Sequence, residues 1–600
     1  MHFRVWAPRP KRVEVEADGS RYPMTPSGGG WWTADVSEAG PGTDYWFHLD
    51  GGPARPDPRS AWQPEGVNGP SRAVDHRAFQ WTDEHWQARP LASAVIYELH
   101  VPTFTPQGDF NAVTERLDHL VELGVTHVEL MPVAGAPGDY GWGYDGVNLY
   151  APHHAWGGPE GLKNLVNACH ERGLAVLLDV VYNHLGPSGN YLQEFGPYFT
   201  DRHCTPWGWA VSFDQPGSDE VRRFFADNAL MWLRDYHIDG LRIDAVHAII
   251  DGAALHFLEQ LSVEIESLSA ELGRHFVLIA ESDLNNPRIV KPREIGGYGI
   301  DAQWSDDFHH ALHTVLTGER NGYYSDFGSM AQLAKSFRNA YVYDGCYSPA
   351  RGRRHGQKTD GMSGNQFLAY LQTHDQIGNR AQGDRLGHLI SPGKLKIGVA
   401  LVLTSPFVPM LFQGEEWSAS SPFQYFTSFE DKELGAAVRE GRRHEFAAFG
   451  WNPNDVPDPQ DPETFQRSKL RWEEVGHEPH AEILNWYQQL LRLRRLHPAL
   501  TNGRMEDVRV AYNQDAGWLI VERDSVTVAC NLAGQEQSVP VGETRPRNLL
   551  LASSDAACIG PDAVSLPAES VAILGDDRHL HALENAEPVR HRQSTETAGA

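Results

Sequence analysis

Cysteine is scarce in this chain of 600 residues, which carries five of them, an odd number scattered along the sequence. No C-x-x-C pair occurs, so the usual spacing of a structural zinc site is missing. The few cysteines also provide no framework for a small disulfide-stabilised secreted domain. The five are Cys169, Cys204, Cys346, Cys530 and Cys558.

Long apolar runs are missing as well. The N-terminal stretch MHFRVWAPRPKRVEVEADG lacks the unbroken apolar segment of a signal peptide. Nowhere else does an apolar stretch reach about 18 residues, the length that a membrane-spanning helix requires. We therefore expect a soluble, cytoplasmic protein.

Positive charge is in short supply, because 51 Lys and Arg residues stand against 79 Asp and Glu residues and give a formal net charge of −28. Such a surface repels phosphate backbones and anionic lipids, which argues against nucleic acid and membrane partners. Neutral or cationic ligands remain possible. No acidic loop has the D-x-[DN]-x-[DN]-G spacing of a calcium site, so no metal and no cofactor is expected.

Two regions show the short alternating runs of small β domains. In residues 1–85, the runs HFRVWAP, RVEVEA and DYWFHLD are separated by Gly/Pro turns, which predicts an antiparallel β-sandwich. Trp31 and Trp32 in this region could form a sugar platform, but a place in the core is favoured. Residues 501–575 predict a second all-β domain, and the polar residues 576–600 are expected to be disordered.

Between about residues 90 and 500 the pattern changes to strands that alternate with amphipathic helices, which predicts a (β/α)8 barrel with inserted loops. An open doubly wound sheet is the alternative, but no glycine-rich phosphate loop follows any strand. The fold class is thus a multidomain α/β protein with a central barrel and two flanking β domains. The eight strand-like runs are 93–101, 125–133, 174–184, 240–246, 275–282, 300–305, 366–375 and 406–416.

Three helices are predicted from apolar stripes and end signals. One stripe includes Val121 and ends at Gly124, a second ends at Gly173, and the third is expected to begin with Ser218 as its N-cap.

Carboxylates stand at the ends of four predicted strands, in the positions that form the active-site rim of (β/α)8 enzymes. In HIDGLRIDAVH, Leu241, Ile243 and Ala245 are expected on one strand face, and Arg242 and Asp244 on the other. A single acidic residue in such a place is usually a cap or turn residue. Four at one rim repel one another and call for a functional reason. They are Asp179, Asp244, Glu281 and Asp375, with Asn183, His184, Arg242 and His374 nearby.

Clustered carboxylates with His and Arg, and without metal-ligand spacing, suit glycoside cleavage, which needs one carboxylate nucleophile and one carboxylic acid. Arg242 would favour the ionised form of Asp244. Glu281 lies in the apolar context VLIAES and could hold its proton and act as the acid. Asp375 would be the third group, stabilising positive charge on the sugar.

The motifs DVVYNH, GLRIDAVH, LIAES and THD resemble, in order, the four sequence regions of the α-amylase superfamily. The resemblance implies Asp244 as nucleophile, Glu281 as general acid/base and Asp375 as transition-state stabiliser, with retention of configuration. It also implies a sugar site (subsite −1) lined by His184, Arg242 and His374 over a Tyr144 platform, with His247 toward the leaving sugars.

Three further stretches, WSDDFHHALHTVLTGERNGYYSDF, THDQIGNRAQGDRL and GEEWSASSPFQYFTSFED, are similar to the maltooligosyltrehalose trehalohydrolase branch of that superfamily. That resemblance implies hydrolysis of the α-1,4 bond next to a terminal trehalose, with Asp283 and Gln376 as candidate contacts to the leaving disaccharide. A glycogen branching or debranching enzyme is the alternative. A catalytically dead barrel that only binds carbohydrate is disfavoured, because all three carboxylates are present.

Overall fold

The fold is that of a computed structural model, which describes residues 1–448, 451–452, 455–542 and 548–576. Its centre is a closed barrel of eight parallel strands, and each strand lies within one of the predicted runs. The prediction of a (β/α)8 barrel is therefore confirmed. The strands are Ile96–Leu99, His127–Leu130, Ala175–Val180, Gly240–Ile243, Val277–Ala280, Ala302–Trp304, Phe367–Ala369 and Val408–Phe412.

Helices surround the barrel and bury their apolar faces against the strands. In Gly158–Glu171, for example, Leu162, Leu165 and Val166 are fully buried. No helix of the described chain is long and apolar enough to cross a membrane. The longer helices are Gly158–Glu171, Ser218–Asp235, Phe257–Leu272, Asp306–Thr317, Met330–Asn339, Pro392–Leu403, Lys432–Ala448 and His480–Leu496. The shorter ones are Val101–Phe104, Phe110–Thr114, Leu117–Leu123, Leu192–Phe195, His374–Gly378, Leu386–Leu389, Pro462–Arg467 and Pro498–Thr501.

Helix ends match the sequence predictions in part. Gly124 caps Leu117–Leu123 in the left-handed conformation, as predicted. The predicted N-cap Ser218 is wrong by one residue, because Gly217, with φ +89°, occupies the cap and Ser218 is the first helical residue. Val121 is 42% exposed and does not belong to the buried stripe. The predicted helix is interrupted at residues 115–116, between Phe110–Thr114 and Leu117–Leu123.

The two flanking regions are β-rich, as predicted. Residues 1–72 form two antiparallel sheets, and residues 508–575 form two more. The N-terminal strands are His2–Trp6, Val13–Ala17, Ser20–Pro23, Thr25–Gly28, Trp31–Asp35, Asp44–Leu49, Ala54–Arg55 and Ser71–Arg72. The C-terminal strands are Val508–Asn513, Trp518–Arg523, Val526–Asn531, Gln537–Pro540, Asn548–Ala552, Cys558–Ile559, Ala563–Leu566 and Ser570–Gly575. Residues 577–600, nearly all of the tail expected to be disordered, lie outside the described residues.

The N-terminal tryptophans pack rather than stand free. Both are partly buried against the main hydrophobic core. Trp31 donates from Nε1 to Oε1 of Glu220 in a barrel helix at 3.0 Å, and Trp32 donates to the backbone oxygen of Ala7 at 2.9 Å. These contacts agree with the favoured structural reading of the two side chains.

A buried ion network fastens the connector before the barrel to the barrel strands. His170 lies 2.8 Å from Oδ2 of Asp83 and 2.9 Å from Oδ2 of Asp239, and Trp86 stacks on its ring at 4.5 Å. Burial alone would lower the pKa of His170, but hydrogen bonds to the two carboxylates raise it above its usual value. His170 is therefore a charged bridge between the connector and the barrel.

Candidate active site

The predicted catalytic carboxylates come together at the C-terminal rim of the barrel. Asp179 lies near the end of the third strand, and Asp244 and Glu281 follow the fourth and fifth strands directly. Asp375 lies in the short helix His374–Gly378 that follows the seventh strand. Because all eight strands are parallel, their ends meet at one mouth.

Arg242 is the centre of this arrangement. Its Nη1 donates to Oδ2 of Asp179 at 2.7 Å and to Oδ1 of Asp244 at 2.8 Å, and its Nη2 lies 3.7 Å from Oε2 of Glu281. The guanidinium is fully buried over the Trp304 ring, 4.3 Å from its centroid. Burial alone would lower the pKa of Arg242, but the neighbouring carboxylates raise it well above its usual value. One fixed cation therefore spans three acidic side chains.

Asp244 is held from both sides. Its second oxygen, Oδ2, accepts from Nδ2 of Asn183 at 2.8 Å, and the same amide donates to the backbone oxygen of Asp244 at 2.9 Å. With Arg242 on Oδ1, both carboxylate oxygens have a donor, which fixes their orientation. The side chain keeps 11% of its surface exposed. It is therefore oriented and reachable, as a nucleophile must be.

Glu281 has the environment of a carboxylic acid that keeps its proton. Burial raises its pKa well above the usual value, and repulsion from Asp244 and Asp375 adds to this, although Arg242 acts in the opposite direction. Its Oε2 accepts from the backbone N of Ala245 at 2.6 Å. The predicted strand position of Ala245 is wrong, because the strand ends at Ile243 and Ala245 turns into the left-handed region at φ +40°. That strained turn brings its N–H to Glu281.

Tyr144 and His374 form a stacked pair beside this centre. The Tyr144 hydroxyl donates to Oδ2 of Asp179 at 2.7 Å and lies 2.8 Å from Nε2 of His374, with ring centroids 5.1 Å apart. His374 Nδ1 lies 2.5 Å from Oε1 of Glu98, a residue that the sequence analysis missed. Burial alone would lower the pKa of His374, but Glu98 and Asp375 raise it to about 9. In the sequence, the one indication of a special role for Glu98 is that an acidic residue stands inside the apolar run VIYELHV.

The loop that carries Tyr144 depends on one glycine. Gly143 has φ +97°, in the left-handed region that side chains rarely adopt. A Cβ built there would lie 2.1 Å from the backbone oxygen of Pro132. The sequence GWGYDG thus turns back on the end of the second strand, which places Tyr144 over the mouth.

His184 contacts the backbone of Tyr144. Its Nδ1 lies 2.5 Å from Oδ1 of Asn183 and its Nε2 lies 3.1 Å from the backbone oxygen of Tyr144. Trp207 stacks on its ring, with centroids 4.6 Å apart and 49% of the tryptophan exposed. Sequence reasoning missed Trp207, which lies in the turn of a hairpin inserted after the third strand.

The residues predicted to contact the leaving sugars are held less tightly. His247 Nδ1 lies 4.0 Å from Oδ1 of Asp283, whose other oxygen lies 3.0 Å from Nη1 of Arg351. Gln376 uses its side-chain oxygen in a capping box, where it accepts from N and Oγ1 of Thr373 at 2.8 and 2.7 Å. That oxygen orients the helix that carries the third carboxylate. A sugar contact from any of these residues stays a prediction.

A further acidic residue at the mouth was also missed. Asp306 begins the helix after the sixth strand, and the Tyr370 hydroxyl donates to its Oδ1 at 2.5 Å. Burial raises the pKa of Asp306 to about 7, although the Tyr370 hydrogen bond opposes the shift. Across the described residues, no group of three or more His, Cys, Asp and Glu side chains is placed to hold a metal ion.

A closed parallel barrel with acidic residues at three strand ends, joined by one arginine, defines a glycoside hydrolase of the α-amylase class. The model of the α-amylase catalytic domain matches residues 72–207, and a domain of unknown function matches residues 503–573. A malto-oligosyltrehalose trehalohydrolase of Rhizobium sp. (strain M-11) is 48% identical over 584 residues, 96% of this chain and 97% of that protein. One of Mycobacterium tuberculosis is 47% identical over 95% of this chain and 98% of its own length. The chain belongs to the malto-oligosyltrehalose trehalohydrolase family.

Two other comparisons agree with this placement. The crystal structure of a putative α-amylase from Salmonella typhimurium superposes with a TM-score of 0.88 at 39% identity, covering 96% of this chain and 97% of that one. A 1,4-alpha-glucan branching enzyme of Vibrio cholerae is 32% identical over 52% of this chain and 48% of its own length. The alternative of a branching enzyme is therefore the weaker one.

Proposed function

We propose that this protein hydrolyses the α-1,4-glucosidic bond next to the terminal trehalose unit of malto-oligosyltrehalose and releases trehalose. Curated relatives of that name match almost the whole chain at 47–48% identity, including both flanking β-rich regions. The branching enzyme matches only about half of the chain. Specificity for trehalose as the leaving group rests on this family relation, and the chemistry rests on the site.

The observation that carries the chemistry is the buried Arg242 guanidinium between Asp244 and Glu281. It faces one oriented carboxylate at hydrogen-bond distance and one proton-bearing carboxyl at 3.7 Å. A retaining glycosidase requires one nucleophilic carboxylate beside one carboxylic acid, and burial favours the protonated form of Glu281. The barrel therefore holds a nucleophile and an acid side by side.

In the proposed reaction, Oδ of Asp244 attacks the anomeric carbon while Glu281 gives its proton to the glycosidic oxygen. The bond to the leaving trehalose breaks, and a glycosyl ester of Asp244 forms. Water then attacks the same carbon, the Glu281 carboxylate takes a proton from it, and the ester bond to Asp244 breaks, which releases the sugar and restores the Asp244 carboxylate. Asp375, with 42% of its side chain exposed at the mouth, stabilises the positive charge that develops on the ring. The configuration at the anomeric carbon is retained, because each of the two steps inverts it.

The sugar in subsite −1 would lie against Tyr144, with His184, Arg242 and His374 around it. The Tyr144 ring is held by His374 on one side and by its hydroxyl contact to Asp179. Asp283, Gln376 and His247 are retained as candidate contacts to the leaving disaccharide. The cytoplasmic location expected from the sequence also stays a prediction.

The test is a product assay with defined substrates. Purified protein is incubated with malto-oligosyltrehalose and, separately, with the maltooligosaccharide that has the same number of glucose units. We expect free trehalose from the first at a rate far above any cleavage of the second. Equal rates on both substrates, or the appearance of α-1,6 branches, would refute the proposed specificity.

A further inference from the structure

Glu98 and Glu129 lie side by side inside the barrel and have very different surroundings. They are paired in register on the first two strands, and each is only 1% exposed. Glu98 forms two hydrogen bonds with His374. Its Oε1 lies 2.5 Å from Nδ1, and its Oε2 accepts from the backbone N at 3.1 Å. Neither side-chain oxygen of Glu129 has a hydrogen-bond partner within the described residues. Burial raises the pKa of Glu129 well above its usual value, so it is a neutral neighbour.

Counting protons along the hydrogen bonds shows what Glu98 does. The Tyr144 hydroxyl has one proton, and it lies within hydrogen-bond distance of both Asp179 and His374. It donates to the Asp179 carboxylate, so Nε2 of His374 must carry a proton of its own to complete the contact. Nδ1 also needs a proton, because it faces the Glu98 carboxylate. Burial raises the pKa of Asp179 to about 6, although Arg242 opposes the shift. Above that pH, with Asp179 ionised, these three contacts are satisfied together only when His374 is a doubly protonated imidazolium.

We propose that Glu98 is a positioning residue of this active site, which holds His374 as an imidazolium and thereby fixes Tyr144 and Asp179 against Arg242. The contacts form one continuous path from the first strand to the nucleophile. Arg242 Nη1 closes it, since the same nitrogen binds Asp179 and Asp244. The inference deepens the proposed hydrolase function and rests on it for the identity of the nucleophile.

The charge of His374 is set by groups from several elements. Glu98 and Asp375 favour the imidazolium, whereas burial and Arg242 oppose it. His100 has a pKa lowered to about 3 by burial and is neutral. The charged and titratable groups that face His374 are Glu98, His100, Glu129, Tyr144, Arg242 and Asp375. Of these, Glu98 alone combines a negative charge with two hydrogen bonds to His374.

Glu98→Gln removes the charge and keeps the shape. The amide of the new side chain can donate to Nδ1 while its oxygen accepts from the backbone N, so neutral His374 keeps its proton on Nε2. The ring then loses its positive charge near neutral pH, and its hydrogen bonds to residue 98 and to Tyr144 become weaker neutral ones, so Tyr144 and Asp179 are held less firmly. Since burial lowers the pKa of His374 and Asp375 alone then opposes this as a carboxylate, the imidazolium forms again only in more acidic solution.

The experiment compares kcat of the wild type with kcat of Glu98→Gln between pH 5 and pH 8.5, each with KM. We expect the kcat of the wild type divided by the kcat of Glu98→Gln to rise from about two at pH 5 to about ten or more at pH 8. The reason is that one pK unit corresponds to about a tenfold change in the population of the His374 imidazolium. KM should change by less than about threefold, because the sugar-contacting surface is intact. A ratio that does not change with pH would overturn the proposal.

Glu129→Gln is the matched control, because it is isosteric, equally buried and in the same register. We expect its kcat ratio to the wild type to stay near one at every pH, and a pH-dependent ratio like that of Glu98→Gln would also overturn the proposal. If Glu98→Gln does not fold, Glu98→Asp replaces it. Its charge is kept but its reach is shorter, so kcat should fall by a factor that does not change with pH, and an unchanged kcat would contradict positioning.

Failure of this inference differs from failure of the proposed function. If the wild type cleaves a glucan without freeing trehalose, the proposed specificity is wrong and the kcat ratios are measured on that glucan. If trehalose is freed and the Glu98→Gln ratio is flat, the hydrolase assignment stands and Glu98 has only a structural role.

Discussion

The hydroxyl of Tyr144 offers the sharpest test of how the reaction centre is held together. Tyr144→Phe deletes that hydroxyl and keeps the ring that stacks on His374 at 5.1 Å. Two hydrogen bonds disappear, one to Asp179 at 2.7 Å and one to His374 at 2.8 Å. Asp179 keeps its contact with Arg242 at 2.7 Å, so the larger cost falls on His374.

The size of the expected effect follows from the hydrogen bond that His374 loses. A buried donor left without its partner costs about 1–3 kcal/mol, and more when it is charged, but Asp375 remains 3.6 Å from Nε2 of His374, so we expect the free energy of unfolding to fall by about 1–3 kcal/mol. The lost hydrogen bonds also leave Asp179 and Arg242 less firmly oriented. We therefore expect kcat to fall about 10- to 100-fold, which corresponds to about 1.4–2.8 kcal/mol of transition-state stabilisation. KM should change little, because the ring that is proposed to meet the sugar is still present.

Urea unfolding and steady-state trehalose release measure the two quantities on the same preparation. Tyr144→Ala is the comparison, because it removes the ring as well and should raise KM. Should Tyr144→Phe raise KM and leave kcat unchanged, the hydroxyl would be a substrate contact and not a link in the protein. Unchanged stability together with unchanged kcat would refute the reasoning altogether.

Three further outcomes are expected. Asp244→Asn and Glu281→Gln should each lower the rate of trehalose release by several orders of magnitude without loss of folding, and near-full activity in either variant would show that the roles are misassigned. The stability contributed by His170 should be present below about pH 6.5 and decrease as the pH rises through its raised folded-state pKa, because the unfolded histidine loses its proton first. Urea unfolding across pH 5–9 should show a smaller alkaline loss in His170→Asn than in the wild type, and the variant should be about 3 kcal/mol less stable at pH 6. Gly143→Ala should lower kcat and thermal stability together, because its Cβ meets a backbone oxygen at 2.1 Å; a variant with wild-type activity would show that the Tyr144 loop can shift freely.

Several features of the site followed from local sequence, and others could not. The acidic residues at the strand ends stood out because each interrupts or ends an apolar run. Glu98 and Asp306 carry the same kind of signal, yet nothing local separates a barrel-facing carboxylate from a cap or turn residue. Their roles depend on partners 276 and 64 positions away along the chain.

Errors in the local predictions have similarly specific causes. Ala245 continues the alternation of the fourth strand in sequence, but its backbone turns left-handed to donate to Glu281. Ser218 is a good capping residue by type, but the preceding glycine takes the cap because it adopts φ +89° without strain.

The sequence by itself determined the eight-strand barrel, the β-rich flanks and the place of the proposed catalytic carboxylates at the strand ends, because hydrophobic period and strand-end chemistry are local properties. Tertiary structure decided how these groups are charged and oriented. The protonation of Glu281 depends on burial and on carboxylates from other strands, and that of His374 depends on Glu98. Electrostatic interactions act through space, and only the closed barrel brings the ends of its strands within their range.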